Sequence, residues 1–194
     1  MIQEPAISVT ASARKPSDLL SRLRDFAHGQ DGMAAVEFAV ILPFMLVAYL
    51  GGVEIGDGVA INRKVAITTR AVADLATRYT TIHNADSATI LGAAATIIAP
   101  YAPGPLAVTV SQVSVDNQGN ATISWSDTLN GTAHTVGTAV TLPGTLNTPN
   151  SNYIWGQVTY AYTPTLGYVM SGTYNLSDQI FMSPRESASV TRVP

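Results

Sequence analysis

The chain contains no cysteine, and only 12% of its 194 residues are charged. Without thiols, neither disulfide bonds nor thiolate metal ligands can contribute to the fold. The net charge of −3 argues against a nucleic-acid-binding protein, because such proteins neutralise phosphates with clustered Lys and Arg. The apolar fraction of 46% is too high for a disordered chain. The length allows one domain and an anchor.

The sequence also lacks the motifs that usually carry catalysis. It has no Gly-rich phosphate loop, no HExxH and no GxSxG. The histidines fall in separate segments, which argues against a shared metal site: His28, His83 and His134. A calcium site is an alternative for Asp116, Asp127 and Asp178, but Asp near turns more often bonds local backbone. We therefore expect no enzymatic activity, no metal and no cofactor.

One long run of uncharged residues, 38–52, dominates the N-terminal part. The 20 residues 33–52 would form a helix of about 30 Å, which matches the hydrocarbon thickness of a bilayer. Pro43 lies in the middle and predicts a slight kink, which membrane helices tolerate. Four cations precede the run and favour a cytoplasmic N-terminus: Arg14, Lys15, Arg22 and Arg24.

A single carboxylate, Glu37, stands at the start of the apolar run. Ionisable residues near a bilayer centre cost roughly 2.5–3.5 kcal/mol each on insertion scales, so such a residue suggests a function. If the chain is cut after Gly32, the new α-amino group of Met33 lies one helical turn from Glu37. The spacing therefore predicts that the amine and the carboxylate can pair.

These residues resemble a known processing site. Gly32 before the cut, Glu37 at the fifth position after it and Phe38 at the sixth match the pattern of prepilin peptidase substrates. Residues 34–43 resemble the opening of TadE-like minor pseudopilins of the tight-adherence pilus. The similarity continues through residues 52–56 and returns faintly at 158–164 and 182–186.

The resemblance implies a structural role in pilus assembly or a related secretion machine. Prepilin peptidase, an aspartic protease, would cut between Gly32 and Met33, with Glu37 and Phe38 serving recognition and subunit register. The implied organisation is a cytoplasmic leader (1–32), a transmembrane helix (33–53) and a periplasmic pseudopilin-like domain (54–194). The implied location is the bacterial inner membrane, with incorporation into the pilus as an option. The implied partners are membrane lipid, the peptidase, other pilins and the assembly machinery, without nucleic acid.

Two other interpretations of the apolar run remain open. It could be a secretory signal peptide, cut where residues 58–60 offer small side chains, although the run is long for one and contains Pro43. It could also be an uncleaved single-pass anchor, with Glu37 at the headgroup level. In that case the chain is a membrane-tethered periplasmic binding or adhesion module.

The helical pattern continues after the apolar run. Apolar or weakly polar residues recur at helical spacing: Ile61, Val65, Thr68, Val72, Leu75 and Tyr79. Asp74 and Arg78 have the spacing of a helical ion pair. Glycines at 51, 52, 56 and 58 predict a pliable junction. A second helix is predicted from a cap at Asp86 or Ser87 to Ile98, before a proline-rich stop.

From Leu106 onwards the pattern changes to the alternation of β-strands. It predicts a strand from 106, a turn at 117–120, a partner strand at 121–125, a polar loop at 130–151, a strong strand at 153–162 and a last strand within 181–190. Long helix, short helix and antiparallel sheet together predict an α+β fold, with the apolar stripe of the long helix on one sheet face.

Overall fold

The computed structural model describes residues 31–164, 167 and 171–194. The described residues form two helices, α1 (Asp31–Thr77) and α2 (Asn84–Ile97). The strands are β1 (Thr81–Ile82), β2 (Leu106–Val115), β3 (Ala121–Leu129), β4 (Asn152–Tyr162), β5 (Tyr174–Met182) and β6 (Thr191–Arg192). This confirms the predicted α+β class. Of the predicted leader only residues 31 and 32 fall in the described part; residues 1–30, with His28 and the four leader cations, lie outside it.

The chain divides into two compact units, residues 1–49 and residues 50–194. In the first unit the structure describes residues 31–49, all in α1, and every side chain from 33 to 49 is exposed. Within the described residues, α1 is the helix that is long and apolar enough to cross a membrane. None of its most apolar stretch is buried, unlike the core helix of a soluble domain.

In the second unit, the later part of α1 packs as its apolar stripe predicts. Ile61, Val65 and Val72 are almost completely buried, and so is Thr68, whose hydroxyl donates to the carbonyl of Lys64. Hydrogen bonds of this kind satisfy a hydroxyl inside an apolar environment. The predicted ion pair is also confirmed: Arg78 Nη2 lies 2.6 Å from Asp74 Oδ2, at the surface. Being exposed, it contributes only tenths of a kcal/mol.

Four strands form one antiparallel sheet in the order β3-β2-β4-β5. The predicted turn at 117–120 joins β2 and β3; Gly119 has a positive φ of 84°, which glycine adopts without strain. The Asp116 carboxylate accepts hydrogen bonds from the Asn120 side chain, and from the backbone N–H groups of Asn120 and Gln118. These bonds favour the ionised form and lower the pKa of Asp116.

Each face of the sheet carries a hydrophobic cluster. The larger one lies with α1 and α2 and contains the alternating residues Ile154, Val158, Tyr160 and Tyr162 of β4. The smaller one lies on the opposite face, where Leu142 of the 130–151 loop packs over Val113, Val115, Ile123 and Tyr153. The loop predicted as polar therefore supplies an apolar lid to part of the sheet.

Three predicted boundaries are wrong. Helix α2 begins at Asn84, and its N-cap is His83; Asp86 accepts a hydrogen bond from the His83 backbone N–H (3.0 Å) instead of forming the cap. Strand β3 continues to Leu129, four residues beyond the predicted end. The last strand of the sheet is Tyr174–Met182, so most of the predicted 181–190 strand is irregular. There the chain leaves the sheet, and the backbone N–H of Arg185 donates to the carbonyl of Thr77.

Candidate functional site

The predicted processing site lies at the N-terminal end of the described part of α1. The described helix includes Asp31, Gly32 and Met33, so the peptide bond between Gly32 and Met33 is helical. A protease that reaches this backbone must therefore open the helix locally, because helical N–H and C=O groups are hydrogen-bonded to each other.

Glu37 follows Met33 by four residues in the same helix, so the two side chains share a face. Both residues are exposed, as is Phe38. Among the described residues, Glu37 has no hydrogen-bonding or ionic partner. The next cation along the chain is Arg63, 26 residues later and about 39 Å along a helix. Within the part of the chain that the structure describes, this carboxylate thus stands in an apolar segment without a counter-charge.

Helix α1 also contains Pro43, and the segment is helical on both sides of it. The glycines at 51, 52, 56 and 58 are helical as well. The kink at Pro43 and the pliability of the glycine junction stay predictions, as does a role for Glu37 in register.

A second carboxylate of α1, Glu54, connects the helix to the end of β4 and to the segment after it. It is only 2% exposed, and its Oε1 accepts a hydrogen bond of 2.7 Å from the backbone N–H of Gly167. The backbone carbonyl of Glu54 accepts a hydrogen bond of 3.1 Å from the Tyr162 hydroxyl. One residue of α1 therefore binds both the end of β4 and the segment that follows it.

Sequence reasoning gave Glu54 no role, although a signal was present. Glu54 lies seven residues before Ile61, on the same stripe of α1 that continues through Val65 and Thr68. Positions on that stripe are buried. A buried carboxylate requires hydrogen-bond donors, so the stripe could have predicted that Glu54 needs a donor, although not which residue supplies it.

A cavity of about 310 Å³ lies beside this end of β4. It is lined by two buried tyrosines, Tyr160 and Tyr162, together with Tyr101 and Asp57. Burial raises the pKa of Tyr162, and the negative charges of Asp57 and Glu54 add to this. Burial also raises the pKa of Tyr160, with a smaller contribution from Tyr101. Both phenols are thus kept neutral and able to donate hydrogen bonds.

The three aspartates considered for calcium lie apart from one another. Asp116 is in the β2–β3 turn, Asp127 is in β3, and Asp178 is in β5 at the opposite edge of the sheet. Asp127 is already engaged by the Ser87 hydroxyl (2.6 Å) and by Arg192 Nε (2.7 Å). Within the described part of the chain, no three His, Asp or Glu side chains come together as metal ligands would.

The aromatic residues of the sheet pack on both of its faces. Trp125, Tyr160 and Tyr162 belong to the larger hydrophobic cluster. Trp155, on the other face, is stacked between the rings of His134 and Phe181, at centroid distances of 4.7 and 5.2 Å. His134 therefore fastens the 130–151 loop to the sheet.

Comparison with known families matches residues 32–74 to the family described as TadE-like protein. Comparisons with the curated proteins and with the solved structures gave no match. The matched segment includes Gly32, Met33, Glu37, Phe38 and Pro43, and it covers α1 almost to its end. The chain therefore carries a TadE-like N-terminal helix, as its motifs predicted.

Proposed function

We propose that the chain is a minor pseudopilin of a tight-adherence pilus or a related secretion machine, and that prepilin peptidase processes it between Gly32 and Met33. TadE-like proteins are associated with this pilus, and the match spans the proposed cut and Glu37. The observation that carries the proposal is the carboxylate of Glu37, which has no partner among the described residues and lies one helical turn after Met33 in the exposed apolar part of α1.

Cleavage supplies the missing counter-charge. In the uncut chain the nitrogen of Met33 is a neutral amide, whereas after the cut it is a protonated amine. In an environment of low dielectric constant, the attraction between this amine and a carboxylate is large and offsets the desolvation of both groups. We propose that Glu37 pairs with the amine of a neighbouring subunit, which would set the register between the two helices.

The rest of the chain divides the work. The apolar part of α1 first anchors the subunit in the inner membrane and then packs among other helices in the filament or in its initiating complex. Its side chains from 33 to 49 are exposed, which leaves them available for lipid or for neighbouring subunits. The unit formed by residues 50–194 faces the periplasm and contacts other pilins or the assembly machinery.

Replacement of Glu37 by Ala tests this role. We expect the variant to insert into the membrane normally or better, because a costly carboxylate has been removed. Pilus assembly should fall at least about tenfold, because loss of one partner of a buried ion pair costs roughly 3–5 kcal/mol. The measurements are the membrane-bound fraction of the protein and the amount of sheared surface pili.

Asp57→Ala provides the matched control, since Asp57 is an exposed carboxylate on the same helix outside the apolar run. It should leave pilus assembly close to that of the wild type. Glu37→Gln, which keeps the shape but removes the charge, should resemble Glu37→Ala. Pili formed normally by both Glu37 variants would contradict the pairing and favour a tethered binding or adhesion module.

A further inference from the structure

One side of α1 remains apolar and exposed beyond the predicted end of the membrane segment. Ile55 and Val59 are 55% and 51% exposed, and they follow Gly52 by three and seven residues in the same helix. The first exposed cation on α1 is Arg63. On this side, therefore, the helix presents an apolar surface for about 10 Å after Gly52 and then a positive charge.

This surface forms one wall of a groove of about 430 Å³. Ile55, Val59 and Gly58 of α1 line one wall, and the ends of β4 and β5 supply Tyr162, Tyr174 and Leu176. Arg63 and Asn62 also line the groove and lie farthest along α1, whereas Glu54 lines its opposite end, where the carboxylate is buried and accepts a hydrogen bond from Gly167. Its volume lies within the roughly 300–1,000 Å³ typical of small-molecule sites.

Gly58 keeps the groove open. A Cβ at this position would already lie 3.5 Å from the Tyr162 ring, so a larger side chain would fill the space between helix and sheet. Arg63 has no carboxylate partner among the described residues. An apolar channel that ends at an uncompensated guanidinium is complementary to a molecule with an apolar chain and an anionic head, because Arg binds phosphate through two parallel hydrogen bonds.

We propose that this groove holds one anionic phospholipid, with an acyl chain against Ile55, Val59 and Leu176 and its phosphate at Arg63. The groove directly follows the segment 33–53 that the sequence predicts to cross the membrane, and it lies within the long helix whose apolar part is a candidate membrane span. When the apolar surface of a helix is longer than the hydrocarbon core of the bilayer, the helix tilts, the bilayer thickens locally, or lipid extends along the helix to cover that surface. The long side chain of Arg63 can extend towards the interface to meet the phosphate.

The inference goes beyond the proposed pilin role, because it requires the membrane anchor but neither cleavage nor assembly. The absence of cysteine makes the test direct, since each introduced cysteine is a unique attachment site for a spin label. Labels are placed at Val59 in the groove, at Val40 in the apolar run and at Ile67, two turns beyond Val59 and equally exposed. The full chain is reconstituted in bilayers of phosphatidylglycerol or of phosphatidylcholine.

The readout is the relative accessibility of each label to oxygen, which partitions into lipid, and to a water-soluble nickel chelate. We expect Val59 to resemble Val40 in phosphatidylglycerol, whereas Ile67 should be accessible from water. Arg63→Gln should move the Val59 label towards the aqueous pattern, and the matched Arg70→Gln should not. A Val59 label that is accessible from water while the Val40 label lies in lipid would overturn the lipid proposal alone. A Val40 label that is accessible from water would overturn the membrane anchor as well.

Two further outcomes bear on the occupant. A Val59 label shielded from both reagents would mean that protein, such as a second helix, covers the groove, and this would overturn the lipid proposal. Because a label could itself displace lipid, native mass spectrometry of the unlabelled chain with phosphatidylglycerol provides a second measurement. Wild type and Arg70→Gln should retain one lipid several-fold more often than Arg63→Gln; equal retention by all three would contradict the site.

Discussion

Gly156→Ala is expected to lower the free energy of unfolding of the sheet domain by about 2 kcal/mol. Gly156 lies in the middle of β4, where α1 crosses the sheet closely. A Cβ at this position would stand 2.9 Å from the Cβ of Ala73 and 3.3 Å from the carbonyl oxygen of Thr69. Neither atom belongs to a flexible side chain, so helix and sheet must move apart. This strain exceeds the roughly 0.4–1 kcal/mol gained by restricting the unfolded chain.

The measurement is denaturant unfolding of the full chain in detergent, followed by the fluorescence of Trp125 and Trp155, which both lie in the sheet. Gly92→Ala is the matched control: Gly92 is in α2, nothing lies within 4 Å of its added Cβ, and the change should stabilise the protein by up to about 1 kcal/mol. In an Ala73→Gly background the Gly156→Ala penalty should shrink by about 1 kcal/mol. An unchanged penalty there would show that the close contact is not its cause.

Gly32→Leu is expected to leave the leader attached to most of the protein. Glycine lets a protease approach the backbone closely because it has no Cβ. A branched side chain next to the scissile bond would displace the backbone, and a displacement of about 1 Å can lower a rate on the order of 100-fold. The full-length form should therefore accumulate, as seen by gel mobility in cells that contain the peptidase.

Gly52→Ala is the control for this experiment. Gly52 is also a glycine of α1, and an added Cβ would meet nothing within 4 Å. It lies far from the proposed cut, so its leader should be removed as in the wild type. If the leader of Gly32→Leu is removed at the same bond and to the same extent as in the wild type, close approach of the protease is not the reason for this glycine.

Periodicity predicted the elements that bury one continuous face. The stripe from Ile61 to Val72 placed α1 against the sheet, and the alternation in residues 153–162 predicted β4, whose residues alternate between buried and half-buried. Both patterns are strong because a long helix and a central strand each bury every residue on one side. The turn at 117–120 was equally clear, because it requires the positive φ of Gly119.

The hydrophobic pattern of the sequence did not correctly predict the elements that are only weakly buried. β5 is an edge strand whose inward residues are only half-buried, so polar residues interrupt its alternation. For this reason the last strand was predicted too late in the chain, within residues 181–190. The start of α2 was predicted too late because His83 is an uncommon N-cap. Asp86, which was predicted as the cap, lies inside the helix and accepts a hydrogen bond from the His83 backbone N–H. The hydrogen bond of Glu54 to Gly167 joins residues 113 positions apart, which local sequence cannot reveal.

The site at the N-terminus depended on different information. Gly32, Glu37 and Phe38 were recognisable because their spacing matches the pattern of prepilin peptidase substrates, which the proposed cleavage and amine pairing would explain, and not because of packing. The family match covers these residues. The groove that ends at Arg63, in contrast, needs both α1 and β5 in place before it exists.

The measurement that tests the central claim most directly is the mass and N-terminal sequence of the protein extracted from membranes, in cells with and without prepilin peptidase. With the peptidase, the chain should begin at Met33 and lack residues 1–32; without it, the chain should keep them. A chain that begins at Met1 in both strains would contradict the account, because Glu37 would then never meet a free amine at Met33. A chain cut after residue 60 in both strains would instead identify a signal peptide.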